Sequence, residues 1–157
     1  MFELGWGKNG TPDTVSGSAA TMSITDLTAK TFNQFLTHQI QNGNILEHRI
    51  DNLSTSTYAE RLSDNGAADS TGTSQTELET ATSGSHDEFC VIYGINIAAE
   101  EKLFICNIVG RNTAGAGTAP LRREHVGKQT GTSTQYTRVD TVLTAAVDSN
   151  LSALGTD

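Results

Sequence analysis

Basic residues are scarce in this 157-residue sequence: ten Lys and Arg stand against eighteen Asp and Glu, for a formal net charge of −8. Nucleic-acid backbones are held by clustered cations, and the one tight pair here is Arg122-Arg123, so direct nucleic-acid binding is not expected. Cysteine is nearly absent too. Cys90 and Cys106 lie inside apolar runs and read as buried, reduced thiols, and no further ligands stand close enough in sequence to make a zinc site. Neither a metal nor a cofactor is expected. With only Pro12 and Pro120, a proline-rich linker is excluded. The longest apolar stretches, residues 89–99 and 103–109, fall far short of the roughly 20 residues a helix needs to cross a bilayer. The first residues lack a basic start followed by an apolar run, so the expectation is a protein without membrane contact, made in a cytoplasm without a signal peptide.

What is present is a polar but weakly charged chain, 18 % Asp, Glu, Lys and Arg, rich in Thr, Ser, Gly and Asn. That mixture suits strands joined by many turns. At this length one domain with a sizeable core is expected. Residues 1–22 read as an extended arm, interrupted by Gly5, Gly7, Gly10 and Gly17, with Phe2, Leu4 and the sole tryptophan, Trp6, as its large apolar anchors. Residues 23–43 read as a docking helix. Ser23 stands as its N-cap, Asp26 follows in the capping-box position, and Thr28, Phe32, Phe35, Leu36 and Ile40 fall on one face at helical spacing.

From residue 44 to 157 the pattern is one of short strands. Residues 45–50, 58–62, 121–126 and 135–142 qualify, with 143–147 as a weaker candidate. The turn cluster Asp64-Asn65-Gly66 and a polar, edge-like stretch over 70–85 lie between them. Residues 89–98 and 102–110 are apolar at nearly every position, which predicts a central hairpin covered on both faces. The expected fold is mostly β, an antiparallel sandwich or jelly roll with one N-terminal α-helix and an extended arm.

No constellation points to catalysis. Ser85-His86-Asp87-Glu88 has the residue types of a triad, but neighbours on a strand face opposite ways. Glu47-His48 and Glu124-His125 split across a sheet for the same reason and read as solvated strand residues. Asp64, Asn65, Asp69, Asp148 and Asn150 are oxygen donors in turns, without the spacing of a calcium loop. The glycine-rich stretch 110–120, with Asn112, Gly115 and Gly117, lacks the lysine of a phosphate-binding loop. It reads as a flexible loop suited to contact a neighbouring subunit, beside Arg122 and Arg123.

A glycine-rich arm with an aromatic anchor, a docking helix and a polar β domain together resemble the capsid decoration, or cement, proteins of tailed viruses, and more faintly tail-tube subunits. Residues 93–103 and 112–120 also look like stretches in proteins of marine microbes and their viruses. The resemblance implies a virion structural protein, a homo-oligomer that staples a major capsid protein shell and is not an enzyme. The interface candidates are then Phe2, Leu4, Trp6, Asn112, Gly115, Gly117, Arg122 and Arg123. The competing expectation is a carbohydrate-binding β-sandwich that stacks sugars on Tyr58, Tyr93 or Tyr136.

Overall fold

The computed structural model describes residues 5–40, 43–81, 86–113, 115–131, 133–142 and 144–157. Among them the chain is all-β and antiparallel, with no helix. Its strands are β1 (Gly7–Lys8), β2 (Asp13–Thr14), β3 (Ser23–Ile24), β4 (Phe32–Gln39), β5 (Glu47–Ile50), β6 (Tyr58–Asp64), β7 (Ser70–Gln75), β8 (Leu78–Glu79), β9 (Glu88–Ile95), β10 (Lys102–Gly110), β11 (Leu121–Gln129), β12 (Val139–Thr141) and β13 (Asn150–Thr156). A large sheet runs in the order β1-β13-β4-β9-β10-β11-β6-β7, with β2 also paired to β13. A small sheet, β3-β12-β5-β8, packs on one face of it.

The expected helix over 23–43 is corrected: residues 32–39 form β4, paired on one side with β13 and on the other with β9. Two phenylalanines and two threonines within 31–37 favour the pleated backbone over the helix. The period of two was hidden because β4 turns Asn33, Phe35, Thr37 and Gln39 inward and Phe32 and Leu36 outward. The capping residues serve other ends. Asp26 accepts bonds from the Thr11 amide and hydroxyl at 2.8 and 2.7 Å, and the Ser23 hydroxyl donates to Asp140 at 2.6 Å.

The described part of the arm, residues 5–22, is laced to the domain rather than standing off it. β1 and β2 pair with β13, Ala20 bridges to Ala145, and Val15 and Met22 enter the core. Gly10, at φ +81°, lets the turn between β1 and β2 pass close against residues 24–27. A Cβ there would come within 2.5 Å of Ile24.

The core lies between the sheets. Ile24, Ile50, Leu78 and Val139 of the small sheet meet Phe35, Ile92, Phe104, Ile108 and Leu151 of the large one. Tyr136 sits between Phe35 and Phe104, with ring centroids 6.1 and 6.2 Å away. Cys90 and Cys106 are free and buried on the same inward face of the β9-β10 hairpin, and burial pushes both thiols well above the ordinary cysteine value.

That hairpin is central in the sheet, but the expectation that it is covered on both sides is not met: the small sheet covers the inward face only. Phe35→Ala, inside, is expected to cost about 3–5 kcal/mol. Phe89→Ala, on the uncovered face, is expected to cost under about 1 kcal/mol at low concentration. Paired denaturant melts check the contrast, and equal losses would mean that the outward face is buried after all.

Candidate functional site

The feature that the core does not explain is the outward face of the large sheet. Because strand residues alternate, β9 and β10 turn Phe89, Val91, Tyr93, Ile95, Leu103, Ile105 and Val109 away from the core. The ladder places these beside Phe32 and Leu36 of β4 and Val126 of β11. Leu103 and Ile105 are 53 % and 57 % exposed, and Phe32, Phe89, Tyr93, Val109 and Val126 are also open to solvent. Trp6 closes one end of the face, lining a groove with Phe32, Tyr93, Ile95, Leu103 and Ile105. Of the nine aromatic residues in the sequence, four are in the core and four (Trp6, Phe32, Phe89 and Tyr93) are on this surface.

A rim of charge runs along the β11-β6 side of this face. Arg122 and Glu124 lie 4.0 Å apart, Lys128 pairs with Glu101 at 2.8 Å, and Arg61 pairs with Asp69 at 3.2 Å. An apolar centre with a polar rim is the anatomy of a protein–protein contact.

Under the sheet the polarity is reversed. Arg123 points inward and is nearly fully buried; its guanidinium grips Asp64 through two bonds of 2.6 and 2.8 Å, and it also bonds Glu79 and the Ala81 carbonyl. Burial opposes its charge, but the bonds to Asp64 and Glu79 raise its affinity for the proton further. His125 is buried with Nε2 3.2 Å from Glu60 Oε2. Burial alone would raise the Glu60 carboxyl, yet the His125 contact and the bond from the Glu79 amide hold it below the usual carboxylate value. His48 is buried between the Thr37 and Thr80 hydroxyls, and burial lowers its pKa to about 4. Both histidines are therefore interior groups, not solvated strand residues as the sequence led us to expect: His48 has a hydroxyl at each ring nitrogen, whereas His125 has the Glu60 carboxylate near Nε2 and no partner at Nδ1. Glu47 faces Glu79 across β5 and β8; partial burial, with the charges of Glu77, Glu79 and Glu60, raises it to about 7.

The other candidates separate along the face. Trp6, 46 % exposed, stands at one end. Gly115, Gly117 and Arg122 are exposed at the other, where Asn112 holds the glycine-rich loop by a 3.3 Å bond to the Ala119 carbonyl. Arg123 is next to Arg122 in sequence but on the opposite side of the sheet, committed within the chain. Phe2 and Leu4 lie outside the described residues, as does Ser85. Asp87 pairs with Arg111 at 3.3 Å. Among the turn oxygens, Asp64 is engaged with Arg123, and Asn65 accepts from the Arg122 amide. Among the described residues no group of three or more His, Cys, Asp or Glu is placed to hold a metal ion, and no helix is long and apolar enough to cross a membrane.

The central surface that joins these two ends was not expected from the sequence. The signal was available: alternate residues of 89–95 and 103–109 are apolar on both parities. What could not be read was which face would go without cover. Comparison with family models, curated proteins and solved structures finds no match.

Glu47 carries a pH prediction. Its carboxyl binds the proton more tightly folded than unfolded, so it favours the folded state below about pH 4.5 and loses that contribution as pH rises through about 7. Glu47→Gln, which keeps the neutral form, is expected to raise the melting temperature at pH 8 and leave it nearly unchanged at pH 4.5. Melts at the two pH values check this; an equal shift at both would refute it.

Proposed function

We propose that this chain is a virion structural protein, a capsid decoration or cement subunit that works through contact area and not through chemistry. The observation that carries the reading is the uncovered apolar sheet face with its charged rim. Monomeric soluble proteins rarely expose contiguous apolar patches beyond a few hundred Å², and larger ones mark interaction sites. A shell-stabilising subunit needs such a surface, because its effect on the shell is the sum of the contacts it makes. The partners under this reading are further copies of the chain and a major capsid protein, and the location is the virion.

Several features agree with a non-catalytic role. His48 and His125 are enclosed, and the cysteines are buried where a substrate has no access. The acidic surface would keep densely decorated particles from adhering to one another. The carbohydrate-binding alternative is less well served. Tyr58 and Tyr136 are buried, and Tyr93, whose hydroxyl accepts from the Gln34 amide at 3.2 Å, lies in a groove lined mainly by apolar side chains, among them Phe32, Leu103 and Ile105.

Shells assembled from the major capsid protein of the source virus, sedimented with the purified chain, test the proposal. The chain is expected to pellet at a fixed ratio to capsomers and to raise the melting temperature of the shell. A chain that stays in the supernatant at every concentration would contradict it.

A further inference from the structure

We infer that the outward face of the large sheet is a homotypic interface on which a second copy of this chain docks face to face about a two-fold axis passing near Asn107. The inference rests on the reading of the chain as an assembly subunit and deepens it, by naming the surface, its occupant and its symmetry.

Size comes first. The face spans the five strands β13, β4, β9, β10 and β11, with seven or so residues of each in register. At about 4.8 Å between strands and about 3.3 Å per residue, that is a footprint of roughly 24 by 23 Å, or about 550 Å² per copy. Two such faces together bury about 1,100 Å², just above the roughly 1,000 Å² that a specific interface requires. The contact gains further from Trp6, Phe32, Phe89 and Tyr93, since aromatics are the residues that most often concentrate binding energy.

Charge comes second. Two copies each carrying −8 repel unless their acids are kept out of the contact. Of the outward side chains on these five strands, Glu124 is the one carboxylate, and it lies beside Arg122. The carboxylates at the border of this face, Asp69, Asp87 and Glu101, are each paired with a cation of the same chain, Arg61, Arg111 and Lys128, so a second copy meets acids whose charge is already offset.

Symmetry comes third. Among the outward residues of β9 and β10, Asn107 is the one amide. It sits between Val91 and Glu124 in the ladder, where the apolar field of β9 and β10 meets the charged outward residues of β11. An amide in such a place costs desolvation unless it finds a partner. A second Asn107 across a two-fold axis is self-complementary, donor to acceptor in both directions, and would help to fix the register of the two faces, as a buried Asn does in coiled coils.

Light scattering and sedimentation equilibrium on the full chain, from about 1 to about 300 µM, test this. The wild-type chain is expected to move from monomer to dimer within that range. Ile105→Glu should remain monomeric throughout with an unchanged β circular-dichroism spectrum; Tyr93→Lys, on the neighbouring strand, serves if that variant fails to fold. Asn107→Cys should form a covalent dimer under mild oxidation at high concentration, since the native cysteines are buried, whereas Ser54→Cys, on a distant loop, should not. A wild-type chain monomeric at 300 µM overturns the inference, as does an oligomer that survives both face variants. A dimer in which Asn107→Cys does not cross-link overturns the two-fold. A dimer that ignores capsid shells would leave this inference standing and sink the virion reading; a monomer that binds them would do the reverse.

Discussion

Successive residues of a strand point to opposite faces, so a central strand that is apolar at nearly every position presents two hydrophobic surfaces and needs two layers of cover. In this chain β9 and β10 are such strands, and the small sheet β3-β12-β5-β8 covers only one side. The rest of the structure follows from that shortage. The core is a single seam between a large and a small sheet, and among the described residues as many aromatic rings lie on the open face as inside.

The inner seam is correspondingly polar. Asn33, Thr37, Gln39, His48, Thr80, Arg123 and His125 are all buried, where purely apolar packing would have been simpler. Most are matched by specific partners: Asn33 accepts from Asn9, Gln39 donates to the Asn44 carbonyl, His48 bridges Thr37 and Thr80, and Arg123 ties β11 to β6 and β8. Such groups add little net stability, because their desolvation cost is comparable to what the bonds return. Their directional bonds do fix where the small sheet and residues 5–30 sit on the large one. Among the described residues the outward face contains no comparable network.

Much of this was legible in the sequence, and the failures have physical reasons. The hairpin of β9 and β10, the Asp64-Asn65-Gly66 turn after β6 and the polar edge strand β7 were readable because local alternation and turn chemistry determine them. The helix expected over 23–43 failed because Phe32, Phe35, Leu36 and Ile40 fit a helical face as well as they fit a strand. The inward positions that would have exposed the period of two are the polar Asn33, Thr37 and Gln39. β13 was missed because its inward residues shrink from Leu151 to Ala153 to Gly155, a pattern that gains meaning only from its neighbours. Of the residues expected at an interface, Trp6 and Arg122 are exposed. Arg123 was grouped with Arg122 by adjacency, although the strand assigned to 121–126 already put the two on opposite faces.

The claim that organises this account is that one face of the large sheet is open in the separate chain and closes against another copy. Hydroxyl-radical footprinting with mass-spectrometric readout, run across a concentration series, measures it residue by residue. The account predicts that Phe89, Tyr93, Leu103 and Ile105 oxidise readily in dilute protein and become protected as concentration rises, while Phe35, Tyr58, Phe104 and Tyr136 stay protected throughout. Outward residues protected even at the lowest concentration, or reactive even at the highest, would contradict it.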